Sequence, residues 1–234
     1  MASKYQLYTR DWVNTESLVS RHKRAQLLLR MLARTYPEER TMLRYGNPVQ
    51  LLVAVMLSAQ CTDARVNIVT KSLFNKYVTA KDFAKARPAT LEKEIFSTGF
   101  YRTKARHIIA ATRIIEKDFD GTVPSTMAKL LTLPGVARKT ANVVLNNAYN
   151  ISEGIAVDTH VARTAQRLGL THSYDPKKIE RDLMALFPQD QWASLSYYLI
   201  RLGRETCDAR IPQCEICPLR AHCPSQRATL RRKK

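Results

Sequence analysis

Glycine is scarce in this chain, with 7 residues in 234. No segment alternates apolar and polar residues over a strand's length, and apolar residues recur instead at spacings of three and four, so the chain reads as nearly all helix. No apolar run approaches the ~20 residues of a membrane span. The opening stretch MASKYQLYTRDWVN lacks the apolar core of a signal peptide, and Asp11 and Glu16 argue against a transit peptide. The expectation is an intracellular, cytoplasmic protein with no membrane partner. Repeats and low-complexity segments are absent as well. Acidic residues are few, 20 Asp plus Glu against 38 Lys plus Arg, and this leaves a net charge of +18. Five cysteines in a reducing compartment point to metal binding or catalysis before disulfides.

The basic excess points to a polyanion, because each neutralised phosphate releases counterions. The cations are scattered rather than gathered on one amphipathic helix, which favours nucleic acid over a membrane surface. A hydrophobic fraction of 45% is ordinary for a globular protein, and the length suits one large domain or two small ones. Spacing predicts a helix over about 20–36 with Ala25, Leu28, Leu29 and Leu32 on one face. Asn47-Pro48 then reads as an N-cap with Pro at the first helical position. The following run Leu51 to Leu57 is apolar on every side, as a central helix would be. Further helices are expected over 62–77, 81–86, 90–97, 102–118, 125–132, 137–149, 159–169, 176–187 and 190–204. The last eight residues, RATLRRKK, read as a basic tail, either a solvated terminus or a grip on DNA.

Three patterns carry possible chemistry. In the first, Ser125 reads as the N-cap of a helix over 126–132, and Leu133-Pro134-Gly135-Val136 turns the chain into a second helix starting near Ala137. Gly135 can take a positive φ, and the first amides of the second helix, beside Arg138, Lys139 and Thr140, could bind a phosphate without reading base identity. A Pro-Gly turn alone is usually only a turn, and a lone lysine is usually a phosphate or solvent contact. In the second, Asp158 opens a helix with Val161, Ala165 and Leu168 inward, and by itself it reads as an N-cap. In the third, Cys207, Cys214, Cys217 and Cys223 are spaced C-x6-C-x2-C-x5-C, which suits either tetrahedral zinc or an iron–sulfur cube. Cys61, on an apolar helix, reads as a buried core residue.

The full string LPGVARKTANVVL resembles the helix–hairpin–helix of the endonuclease III superfamily, with Ala137 where the family usually has Gly. That position is expected in the first helical turn, where Ala is well tolerated. The string IAVDTHV resembles the family's VDTH motif, LSAQCTD resembles its LSAQATD segment, and GFYRTKA resembles its GLYNSKA loop with Phe100 in place of Leu. The cysteine spacing is similar to the family's 4Fe-4S cluster loop. Lys139 and Asp158 lie one residue further apart than is usual, and the loop 150–154 is expected to absorb the difference.

The resemblance covers roughly residues 25–225. It implies an all-α, two-lobed helix–hairpin–helix DNA glycosylase fold with a DNA cleft. A six-helix barrel domain would span 41–151, and 1–40 plus 152–234 would form a helical domain with the cluster loop at 207–223. The implied activity is base-excision repair of oxidised pyrimidines such as thymine glycol, followed by β-elimination at the abasic site, by a monomer acting on double-stranded DNA. Lys139 would be the nucleophile, favoured as the neutral amine by the helix dipole and Arg138. Asp158 would stabilise positive charge on the sugar or assist proton transfer. Gln60 would fill the gap left by the flipped nucleotide, and Phe100 would wedge into the opposite strand. Gly135, Ala137, Arg138 and Thr140 would hold phosphate. His160 would be structural, bonded to backbone, or a phosphate contact. Asp63 is a weaker candidate for the flipped nucleotide, and Arg210, Arg220 and His222 would meet phosphate from the cluster loop. The rival readings are a monofunctional glycosylase with another base preference, a non-catalytic helix–hairpin–helix DNA-binding module, and a zinc-dependent binding protein.

Overall fold

The computed structural model describes residues 15–37 and 41–226; the basic tail 227–234 and the stretch 1–14 lie outside the described residues. Among the described residues every regular element is helical. None of these helices is long and apolar enough to cross a membrane. The chain divides into two compact units, one of Thr41–Glu153 and the other of Met1–Arg40 with Gly154–Lys234.

The unit 41–153 is built around α2 (Pro48–Leu57), in which every residue from Val49 to Leu57 is buried. Its start follows the sequence signals, with Asn47 accepting from the Gln50 amide and Pro48 in the first turn. α3 (Asp63–Lys76), α6 (Tyr101–Asp118) and α8 (Arg138–Tyr149) pack against α2. α4 (Ala80–Ala84) and α5 (Pro88–Glu94) lie on α6, and the short α7 (Met127–Leu130) lies on α8. Truncating a fully buried leucine here, such as Leu52, costs about 2–5 kcal/mol.

In the second unit α1 (Leu18–Thr35) buries Ala25, Leu28, Leu29 and Leu32, the face expected from spacing. It packs with α10 (Pro176–Leu186) and α11 (Trp192–Glu205), and α11 packs in turn on α9 (Thr159–Arg167). Val161, Ala165 and Leu168 face inward as expected.

Several boundaries differ from the sequence reading. The helix expected over 90–97 ends at Glu94 and tightens into a 3-10 turn, Phe96–Thr98. The helix expected over 125–132 shrinks to Met127–Leu130, with Thr126 and not Ser125 at the N-cap and no side-chain cap bond. The Met127 amide instead meets the Glu153 carboxylate at 3.5 Å, and Pro134 disfavours helical angles at Leu133. Cys61 is neither helical nor fully buried. It sits half-buried in the turn between α2 and α3, packed against the core.

Candidate active site

In the unit 41–153, Gly135 turns the hairpin at φ +78° while the Val136 amide donates to the Leu133 carbonyl. A Cβ at Gly135 would lie 2.8 Å from the His107 Cβ, so the turn needs glycine both for its backbone angle and for its approach to α6. Ala137 is the N-cap of α8, with extended angles of φ −96° and ψ 170°, and not a residue of the first helical turn as expected. Both conformations are open to alanine, so the departure from Gly strains nothing here. Ala137 has no side-chain oxygen, so no side-chain cap closes this helix end, unlike the Asn47 and Thr62 ends of α2 and α3. The amide end that carries Arg138, Lys139 and Thr140 therefore has its partial positive charge without a side-chain cap. All three of these side chains are half-buried.

Gln60 and Phe100 share a feature that sequence did not reveal. Both are non-glycine residues in the left-handed region, at φ 54° and φ 49°. For L-residues this conformation costs about 1–2 kcal/mol, and it persists where surrounding structure over-determines it. Gln60 is exposed three residues past the end of α2, and Phe100 is 65% exposed at the N-cap of α6. Between them the buried Lys104 donates to two carbonyls, Leu57 O and Thr98 O, each at 2.8 Å. Desolvation lowers the pKa of this amine below the usual lysine value.

In the other unit, Asp158 is the N-cap of α9, as its place in the sequence suggested. Its Oδ1 accepts from the amides of His160 at 2.8 Å and Val161 at 2.9 Å, which leaves Oδ2 outside the cap. His160 is half-buried against Gly203, and the Arg163 guanidinium lies 3.1 Å from its Nδ1. Burial is the main reason the His160 pKa falls, with the Asp158 charge opposing it.

Two arginines one helical turn apart on α9 clamp the first cysteine. Arg163 donates to the Cys207 and Gly203 carbonyls at 3.2 and 2.7 Å. Arg167 reaches the Cys207, Asp208 and Ala209 carbonyls at 3.2, 2.6 and 2.9 Å, and the Cys207 sulfur at 3.2 Å. The helix that opens with Asp158 is thus bonded directly to the cysteine loop. All four of Cys207, Cys214, Cys217 and Cys223 line a single cavity with Arg167 and Arg220. No disulfide joins any of the five cysteines. Desolvation raises the Cys217 thiol and pushes Cys223 up to about 12. Among the described residues no three His, Cys, Asp or Glu side chains converge on a single-ion position.

The family model described as HhH-GPD superfamily base excision DNA repair protein matches residues 53–189. The chain is 52% identical over 212 residues to endonuclease III of Synechocystis sp., covering 91% of this chain and 97% of that one. With endonuclease III of Bacillus subtilis the identity is 42%, over 86% of this chain and 92% of that one. A solved endonuclease III, trapped as a covalent intermediate with DNA in an estranged-adenine complex, superposes with a TM-score of 0.85 at 40% identity, covering 89% of this chain and 98% of that one. The chain belongs to the endonuclease III family. Its function is that of the family, a DNA glycosylase with AP lyase activity in base excision repair.

Within this endonuclease III fold, Lys139 lies in one unit and Asp158 and the four cysteines in the other. The resemblance of their surrounding strings to the family's motifs pointed to all of these positions. Sequence reasoning missed Lys104, Arg163 and Arg167. A charged residue on the inward face of its helix was the available signal for each, as with Lys104 beside the buried Ala105.

Proposed function

We propose that the enzyme removes oxidised pyrimidines of the thymine glycol type from duplex DNA with Lys139 as nucleophile, and then nicks the abasic site by β-elimination. The observation that carries this reading is the placement of Lys139, half-buried in the first turn of a helix whose N-terminus has no side-chain cap. A phosphate drawn to that end brings the sugar next to the amine. The Lys139 lone pair attacks the anomeric carbon, and the glycosidic bond breaks with its electrons leaving on the base. One proton of the attached amine passes to the departing base, the C1′–O4′ bond opens with O4′ taking up a proton, and a Schiff base remains at C1′; loss of a proton from C2′ then expels the 3′ phosphate by β-elimination. A solved endonuclease III trapped as a covalent intermediate with DNA supports a reading in which the enzyme supplies a nucleophile. Asp158 supports the step through its carboxylate charge, with Oδ2 the oxygen not used by the cap.

Gln60 and Phe100 are the side chains that enter the duplex, Gln60 filling the vacated stack and Phe100 wedging the opposite strand. Gly135, Ala137, Arg138 and Thr140 hold the backbone through the hairpin, and His160 supports the Asp158 turn. The partner is duplex DNA carrying a damaged pyrimidine or an abasic site, met by a monomer in the cytoplasm on nucleoid DNA.

The donor set of four cysteines around one cavity fits a 4Fe-4S cluster, and the Arg167 N–H aimed at the Cys207 sulfur suits a thiolate ligand. Bound there, the cluster supplies a rigid cross-link of the loop. Arg210 and Arg220 on that loop present positive charge for phosphate contact, and His222 presents a ring nitrogen. Borohydride trapping on a thymine glycol duplex tests the central reading. A covalent adduct with wild type that is absent with Lys139→Ala is the expected result. No adduct with wild type refutes the amine nucleophile. Iron and sulfide analysis tests the cluster, and a zinc-loaded, colourless preparation overturns it.

A further inference from the structure

Two strained side chains aimed at DNA need something behind them that holds both. Leu57 is the last residue of α2, so its carbonyl is one of the helix-end acceptors left without an intrahelical donor. Thr98 closes the 3-10 turn that precedes Gly99 and Phe100. The chain reaches Gln60 three residues after Leu57 and Phe100 two residues after Thr98. One ammonium, 6% exposed, donates to both carbonyls. A cation is the right group for this place, because it meets the negative end of the α2 dipole and has donors enough for two acceptors. A buried charge is kept only where such partners compensate its desolvation. The local turns on either side are themselves bonded. The Cys61 amide donates to Ser58 O at 3.1 Å, and the Gly99 amide to Phe96 O at 3.3 Å. Each loop is therefore a small rigid piece, and the described bonds of Lys104 join the two pieces at their bases.

We propose that Lys104 is a positioning residue for damage interrogation, tying the Gln60 turn to the Phe100 turn so that both side chains enter the duplex as one element. The proposal rests on the reading of Gln60 and Phe100 as the intruding residues. Lys104 is separate from the chemistry at Lys139, so its loss should slow the steps that open the duplex and spare those that do not.

The test is single-turnover excision by the intact enzyme on two substrates. One is a fully paired thymine glycol duplex and the other is the same lesion in an unpaired bubble. Lys104→Met keeps the length of the side chain and removes the cation. It is expected to slow excision on the paired duplex by roughly 10–100-fold, the scale of a misplaced positioning group, and to stay within about threefold of wild type on the bubble. Lys104→Arg, which keeps a cation, is expected to recover part of the loss. In a Gln60→Ala/Phe100→Ala background, Lys104→Met should add nothing further, since it acts through those two residues. Should Lys104→Met not fold, Lys104→Gln is read the same way. Equal slowing on both substrates, wild-type rates on both, or a full additional loss in the double-alanine background overturns the role of Lys104. If the double-alanine enzyme itself excises from the paired duplex at the wild-type rate, the intrusion reading fails, and the positioning role fails with it.

Discussion

Replacing Arg167 by leucine tests how the cysteine loop is held. The guanidinium serves three loop carbonyls, those of Cys207, Asp208 and Ala209, and also reaches the Cys207 sulfur. A hydrogen bond from a charged donor contributes about 1.5–3 kcal/mol, and an acceptor that regains water after truncation loses less. Asp208 is exposed and Cys207 half-exposed, so each bond falls just below that range, at about 1.0–1.3 kcal/mol, and three carbonyls give about 3–4 kcal/mol. Leucine refills most of the apolar volume, so the loss is chiefly that of the polar clamp. For a chain of this size each kcal/mol moves the melting midpoint by about 2–4 °C, which predicts a fall of about 6–16 °C. The assay is thermal unfolding followed by circular dichroism, with iron measured on the same samples. Both should drop together, because the residues that anchor the loop also anchor Cys207. If Arg167→Leu melts within about 2 °C of wild type and keeps its full iron, the clamp contributes nothing and the reasoning fails.

Other substitutions probe the site from different sides. Gly135→Ala forces a left-handed backbone at φ +78° and a Cβ against His107. It should weaken DNA affinity by about tenfold and reduce the salt slope by about one, read by fluorescence anisotropy; unchanged affinity contradicts the phosphate role of the turn. Asp158→Asn separates the cap from the charge, since asparagine caps about as well as aspartate. Its melting point should stay within the equivalent of about 1 kcal/mol, while excision falls by roughly 100–1,000-fold, the scale of a lost electrostatic stabiliser; an active Asn variant refutes the charge role. Burial lowers the His160 pKa from its ordinary 6.5 in the folded chain. The unfolded state therefore binds the proton more readily, and the stability His160 contributes is present above about pH 6.5 and lost as pH falls below it. His160→Gln should flatten that part of the stability–pH curve measured by urea melts, and an unchanged slope contradicts it.

Much of the fold was legible because helix signals are local. The spacing of Ala25, Leu28, Leu29 and Leu32 marked the inner face of α1, and Asn47-Pro48 marked the start of α2. The places that went astray are those where a distant group decided the outcome. Ser125 was a reasonable cap by type, but the carboxylate facing the Met127 amide belongs to Glu153, from beyond the next helix. Ala137 looked helical from its neighbours and proved to be the extended cap, which left the end of α8 without a side-chain acceptor.

The cationic clamps illustrate the same limit in a sharper form. Lys104, Arg163 and Arg167 find their acceptors in main-chain carbonyls 6 to 47 residues away. Every residue type offers the same carbonyl, so no residue pattern marks the partner. The candidate site residues are legible because they stand in strings that resemble the family's motifs. The acceptors of Lys104, Arg163 and Arg167 are illegible because backbone is anonymous. One consequence bears on function. Asp158 and Cys207 lie in separate motifs with no sequence feature linking them, yet α9 runs from one to the other through Arg163 and Arg167. The same helix therefore both carries the Asp158 cap and bonds to the cysteine loop. Loss of the loop's order should then impair excision even though none of its cysteines meets the sugar, and excision should fall in parallel with iron content across a series of Arg163 and Arg167 variants.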